Sequence, residues 1–386
     1  MPPIRTRHTK TETRALEGRN ARAKDRSNTP MPGIGTVLKK AALVNLLPLD
    51  ITDPRISLAR ARELFADYVD QVEIENHAFC NRVCWFCPNR FIDRRSALRR
   101  MKSAVFSKII RNLAEVNYEG ALTWSRYHEV LADRRVFERM AAARAALPGA
   151  ELVVISNGDY MDDTTLARLE AAGIDRLILD LYLPDGKETD PEVIEDGLRK
   201  FTRRTGLKLK PSRGLSFGVI GTSMKATLDV PQYTAAEIST RGGLLDLPKR
   251  ATYQRRSACL APVRHLAIDY NGKAMLCCQT RSDAPAHQSA VIGDLSVPDY
   301  SIFHYYRDLA KARRHLLAPG CKGGVCASCD VRDDGPDRLA RRTPLAGAFH
   351  RLPGSEAAAA HLWKRTMRRR FAPASRRRSG SAAPVR

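Results

Sequence analysis

Three thiols, Cys80, Cys84 and Cys87, stand at the spacing C-x3-C-x2-C in one loop. Such a loop can fold its sulfurs round one small object. Thiolates are soft ligands that favour iron–sulfur clusters, zinc or Cu(I). A structural zinc usually takes four protein ligands. The loop offers no fourth Cys or His, and the nearby His77 lies on the side of the preceding strand. Three cysteines suit a cubane cluster with one iron open to an outside ligand. Zinc, or three core cysteines with no ligand, is the competing reading.

The elements around the loop must hold it open at one end of a fold. Residues 69–75 alternate as a strand and lead directly into the cysteines. Two amphipathic helices, 35–47 and 57–68, precede that strand. After the loop, strands at 121–124, 151–156, 176–181 and 215–220 alternate with helices at 106–116, 136–146, 163–172 and 190–203. This alternation predicts βα units and a parallel sheet. Arg90, Arg94, Arg95, Arg99, Arg100 and Lys102 form a dense basic run. It reads as a solvated helix start, with an anion-holding role as the alternative.

At 386 residues the chain has length for two domains. Residues 1–30 are polar and basic without an apolar signal core, and the apolar run 41–49 is far too short to span a bilayer. Nine cysteines without an export signal argue for metal binding in a reducing cytoplasm rather than disulfides. The formal charge of +23 is concentrated at the ends. The tails 1–34 and 361–386 read as flexible and able to dock on nucleic acid, an acidic protein or an anionic membrane. Only Trp363 and Phe371 stand among these charges, too few for a stacking platform, so nucleic acid is not favoured.

The C-x3-C-x2-C loop after a strand resembles the signature of the radical S-adenosylmethionine (SAM) enzymes. That resemblance implies a 4Fe–4S cluster on Cys80, Cys84 and Cys87, with the open iron chelated by SAM. It implies reductive cleavage of SAM to a 5′-deoxyadenosyl radical, which abstracts a substrate hydrogen. Phe86 occupies the place of the aromatic near adenine. Tyr127-His128-Glu129 resembles a variant of the motif that holds the SAM amino group, with Glu129 as the carboxylate and without the usual glycines. Ser156-Asn157-Gly158 is similar to the Thr-Asn-Gly that often ends the third strand. Asp180 falls where a ribose-binding polar residue is expected. The family fold implied is an α/β, open, partial (β/α)6 TIM-like barrel over residues 69–248. In such barrels, sites gather at the C-terminal ends of strands.

Beyond residue 249 the pattern changes to paired strands, 264–270 and 273–278, about an Asn271-Gly272 turn. A short strand at 292–295 and a helix at 301–317 follow. Six cysteines lie here: Cys259, Cys277, Cys278, Cys321, Cys326 and Cys329. The leading Cys, the hairpin with Gly-x4-Cys, the helix and the Cys-x2-Cys resemble the auxiliary-cluster region called SPASM, or its shorter form, twitch. The resemblance implies a small C-terminal α+β domain over residues 249–332, with one auxiliary 4Fe–4S cluster on Cys259, Cys277, Cys326 and Cys329. A zinc knuckle on the same four is the alternative. Successive strand residues point to opposite faces, so only one of Cys277 and Cys278 can readily be a ligand. Cys278 and Cys321 are surplus thiols and candidate hydrogen donors. Residues 333–386 read as a linker, a short basic helix at 356–370 and a tail.

A second cluster with four thiolates has no open iron, which suits electron transfer. The expected activity is therefore dehydrogenation of an alcohol on a sugar-like or natural-product substrate, in a cytoplasmic oxidoreductase. A donor such as flavodoxin or ferredoxin would supply electrons. Maturation of a ribosomal peptide is the first alternative, and RNA modification or RNA binding through the tails the second.

Overall fold

The structure is a computed structural model that describes residues 44–235, 238–247 and 253–331. The expected tails, the 333–386 segment and all but the last turn of the 35–47 helix lie outside those residues. Ten strands are described: β1 Gln71–Ile74, β2 Ala121–Trp124, β3 Glu151–Ser156, β4 Arg176–Asp180, β5 Lys208–Pro211, β6 Ser216–Ile220, β7 Lys225–Asp229, β8 His265–Ile268, β9 Lys273–Met275 and β10 Val291–Asp294. The helices are α1 Leu58–Tyr68, α2 Ser103–Ala114, α3 Val136–Ala146, α4 Asp163–Ala171, α5 Pro191–Thr205, α6 Ala261–Arg264, α7 Ile302–Asp308 and α8 Ala310–Leu317.

All ten strands join one sheet, in the order β10-β9-β8-β1-β2-β3-β4-β7-β6-β5. Neighbours from β8 through β1, β2, β3 and β4 to β7 are parallel. Antiparallel pairs flank this run at both ends. The result is an α/β sheet of partial, TIM-like form.

Two placements differ from the sequence expectation, and β9 stops at Met275, so Cys277 and Cys278 lie in the turn after it rather than on opposite faces of a 273–278 strand. The segment 215–220 is a strand, but it pairs antiparallel with β7, and β7 is the parallel neighbour of β4. The short, polar β5 and β7, Lys-Leu-Lys-Pro and Lys-Ala-Thr-Leu-Asp, carry little hydrophobic signal of their own. Second, β8 hydrogen-bonds directly to β1, in register Gln71↔His265 through Ile74↔Ile268. The C-terminal hairpin thus extends the sheet that bears the first cysteine loop.

Alternation along these strands separates two environments. Val72, Ile74, Leu122, Trp124, Leu266 and Ile268 point to the helices and are fully buried. Gln71, Glu73 and Glu75 take the other face, with Thr123 and Ser125 from β2 and His265 and Asp269 from β8 and its end. Local signals start and stop the covering helices. Ser57 caps α1 by accepting the Arg60 amide, and Asp162 caps α4 by accepting that of Thr165. Asp190 caps α5, which ends on Gly206 at φ +71°. Phe106, Ile109, Ile110 and Leu113 pack α2 onto the sheet, each worth about 1.5–3 kcal/mol of burial. The predicted 301–317 helix is two helices, with Ser301 and His304 forming a capping box at the start of α7.

Candidate active site

The cysteine loop is tied at both ends to the barrel. The Ala78 amide donates to Arg99 O (2.8 Å), Met101 to Asn76 O (2.8 Å) and Cys80 to Arg94 O (2.9 Å). Arg94 itself is wholly buried. Its guanidinium donates to Glu75 at 3.3 Å and to Asp283 at 2.9 Å, and Arg281 also binds Asp283. Asn89 joins in, donating to Tyr127 O and accepting from Arg281. The basic run is therefore not a uniformly solvated stretch. Arg94 is a buried strut and Arg100 pairs with Asp133 at 2.6 Å, whereas Arg90 and Arg95 are exposed. Removing one member of a buried pair leaves an uncompensated charge, so loss of any member of this clamp is costly.

At the C-terminal ends of the parallel strands lies a cavity of about 250 Å³. Cys80, Cys84 and Cys87 all line it, with Phe86, Tyr127, His128, Glu129, Ser156, Asn157, Asp180 and Cys278. Burial pushes the thiols of Cys80 and Cys84 up to about 12, and the neighbouring cysteines add to the rise at Cys84. Three close, half-buried sulfurs with no disulfide among them fit a soft metal cluster, because only coordination to a cation makes three neighbouring thiolates favourable here.

Glu129 is buried, and burial raises its carboxyl to about 7. Its oxygens accept from Ser156 Oγ (2.6 Å), the Asn157 amide (2.8 Å) and the Leu131 amide (3.1 Å). The ends of β2 and β3 are thereby locked together, so the two motifs form one surface. Asn157 Nδ2 donates to Asn81 Oδ1, and Asn81 and Arg82 both hold Asp159. The loop's own Arg82 is thus anchored to the turn after β3. Tyr127 and His128 point elsewhere than to solvent: the Tyr127 hydroxyl donates to Cys278 O (3.2 Å), and the His128 ring meets His77 edge-on at 4.8 Å. Asp180 accepts from the Tyr182 hydroxyl at 3.0 Å, and burial raises its carboxyl to about 6. Phe86 packs between Tyr182 (5.0 Å) and Tyr233 (4.4 Å), an aromatic wall suited to a flat ring.

Sequence reading missed Arg126, Arg241, Tyr182 and Glu73, all in the cavity wall. Arg126 has φ +92° and is ion-paired with the buried Asp269. Arg241 has φ +50° and enters the cavity from the Arg241-Gly242-Gly243 turn. At Gly242 a Cβ would stand 2.7 Å from His287 Nε2, so this close turn needs glycine. That glycine pair was the one sequence signal for Arg241.

The second thiol set lies beyond β8. Burial raises the Cys277 thiol strongly, and the neighbouring Cys278, Cys259, Cys329 and Cys326 each raise it further. Geometry ties three of them to one residue: Arg255 donates to Ala258 O (3.2 Å), beside Cys259, and to Cys329 O, and the Cys329 amide donates to Cys326 O (3.3 Å). Arg255 is buried against them; it donates to Cys329 O (3.3 Å) and lies 3.7 Å from Cys329 Sγ. Thiols beside a buried cation fit an anionic thiolate cluster. Cys321 is exposed and lines no part of the main cavity, so the structure does not bring this candidate hydrogen donor to the site. Cys278 does line it.

Residues 77–207 match the sequence model of the radical SAM superfamily. The chain contains a radical SAM domain. This domain binds a 4Fe–4S cluster and SAM, and the donor set above fits both. The chain is also 22% identical, over 261 residues, to an S-adenosyl-L-methionine-dependent 2-deoxy-scyllo-inosamine dehydrogenase of Niallia circulans, covering 67% of this chain and 92% of that one. Similar solved structures include BtrN in complex with AdoMet and 2-DOIA (TM-score 0.46, 19% identity, 68% of this chain and 93% of that one). Another is Streptococcus suis SuiB bound to precursor peptide SuiA (TM-score 0.38, 12% identity, 66% and 67%). Among the described residues no helix is long and apolar enough to cross a membrane.

Proposed function

We propose that this radical SAM oxidoreductase dehydrogenates a secondary alcohol of a small, aminocyclitol-like or sugar-like substrate. The carrying observation is the adjacency of Cys277 and Cys278. Cys278 lines the cavity that the first three cysteines line, while Cys277 belongs to the second thiol set. One peptide unit thus links the substrate cavity to the second metal site. Oxidation needs such a link, because a substrate radical must give up an electron to become a ketone. The similarity to the Niallia circulans dehydrogenase, over nearly all of that protein's length, supports the same class.

When bound, the cluster on Cys80, Cys84 and Cys87 together with SAM supplies the hydrogen-abstracting group, and a cluster on Cys259, Cys277, Cys326 and Cys329 supplies the electron acceptor. The chain's own residues position and insulate. Phe86, Tyr182 and Tyr233 offer an apolar face to adenine. Ionised Glu129, fixed by Ser156 and Asn157, would accept from an ammonium. Asp180 would meet a ribose hydroxyl. Arg241, whose Nε has no hydrogen-bond partner among the described residues, offers a donor to a carboxylate or hydroxyl in the cavity. The buried strut of Arg94, Glu75 and Asp283 keeps the loop from yielding when these groups are filled. We further read residues 253–331 as twitch-like, and an acidic flavodoxin or ferredoxin as the reductant.

The test is anaerobic turnover of the reconstituted protein with a panel of aminocyclitols. The expected result is a product lighter by two hydrogens, formed one-to-one with 5′-deoxyadenosine. Deoxyadenosine formed with no such product from any panel member would overturn the reading.

A further inference from the structure

Glu73, His265 and Cys278 come from three separate elements: β1, the start of β8 and the segment after β9. Their ligating atoms all lie within 4.8 Å of one another. The Glu73 Oε2 to His265 Nε2 distance is 3.1 Å. A tetrahedral zinc ion with bonds of about 2.0–2.3 Å spaces its ligand atoms about 3.3–3.8 Å apart. The Glu73–His265 edge is slightly shorter than that spacing, and both edges to Cys278 stay within 4.8 Å. Register explains the meeting: Gln71 pairs with His265, so His265 shares the inward face with Glu73.

Outer partners hold two of the three donors. Ser125 Oγ donates to the other Glu73 oxygen, Oε1, leaving Oε2 for the centre of the trio. Gln279 Nε2 lies 3.5 Å from Cys278 Sγ. Such partners orient the ligands of metal sites. Glu73 and Cys278 both line the main cavity, together with Cys80 and Cys87. The trio thus has three protein donors and one open side, the pattern of a catalytic rather than a structural site.

The geometry points to a third metal position, in which Glu73, His265 and Cys278 hold one divalent ion of the zinc class with its open corner toward the substrate cavity. The ligand for that corner would be a hydroxyl or amine of the bound substrate; this last assignment rests on the dehydrogenase reading, whereas the metal site does not. The ion would fix the oxidised carbon against the radical source and favour loss of the hydroxyl proton.

The test uses the full chain with its iron–sulfur sites loaded, so that their cysteines are occupied. After dialysis against a chelator, the protein is offered Zn²⁺ alone, and zinc, iron and sulfide are counted per chain without SAM or substrate. The expected result is about one tightly held zinc per chain, with retention weakened at least about tenfold in His265→Gln at unchanged iron and sulfide. Glu73→Gln serves as the second variant should the first fail to fold. Wild-type protein that holds no zinc, or variants that hold as much as wild type, would overturn the site. Because no turnover is measured, this outcome is independent of whether any alcohol is oxidised.

Discussion

The two cysteine sets differ in what surrounds them. The first sits in one continuous loop, eight residues long from Cys80 to Cys87, and faces a cavity whose far wall carries Cys278. The second gathers residues seventy positions apart in the chain, Cys259 to Cys329, and sets a buried arginine against them. Burial raises thiols at both. On the proposed ligand sets the difference lies in completeness: three donors would leave a corner for an outside ligand, and four would close the coordination sphere. An open site can do chemistry on what binds there, while a closed one can exchange electrons. Cys277 and Cys278 make the boundary between the two a single peptide bond.

The largest expected effect separates the sites outright. Cys84→Ala should abolish 5′-deoxyadenosine formation in the presence of dithionite and SAM. Cys326→Ala should retain it and lose substrate oxidation, with iron falling from about eight to about four per chain. If both variants lost SAM cleavage equally, the division of labour drawn here would be wrong.

The clamp that holds the open site comes next. Arg94→Ala leaves Glu75 and Asp283 without their shared cation and should cost about 3–5 kcal/mol, read by denaturant unfolding of the cluster-free chain. Loss below about 1 kcal/mol would show that the loop does not depend on this strut.

A smaller effect concerns Glu129. Its carboxyl lies at about 7, so the ionised form that pairs with an ammonium is lost as pH falls through that value. SAM affinity should therefore decline by about tenfold between pH 8 and pH 6. Glu129→Gln should bind more weakly at pH 8 and lose most of this slope. A wild-type affinity independent of pH would remove Glu129 from the SAM site.

The smallest effect tunes the closed site. Arg255→Lys keeps the charge but disturbs the donor near Cys329 Sγ. The potential of the second cluster should become more negative by some tens of millivolts, while that of the first stays put. Redox titration followed by electron paramagnetic resonance reads both clusters in one sample.

Much of the site was legible because its parts are local. Ser156-Asn157 and Tyr127-His128-Glu129 are short runs at strand ends, and the alternation of strands with helices places such ends together. What could not be read were the contacts between elements. Nothing in Glu73 or His265 alone marks them as neighbours, since they are 192 residues apart and meet only through the β1–β8 register. Arg94 sits in a run of similar arginines, and only Glu75 and Asp283 distinguish it. The segment 215–220 has strand character in either direction, so its antiparallel partner was decided by β7, a strand too polar to stand out.

The sequence by itself determined the spacing of the first three thiols in one loop and the parallel α/β class, because spacing within a loop and periodicity along a strand are properties of neighbouring residues. Tertiary structure alone decided that β8 joins β1 and that Cys278 lines the main cavity. The same packing decided which arginines lie inside. Those outcomes depend on sheet register and on charge pairing across long separations, where the free energy of a contact belongs to two distant segments and is written in neither.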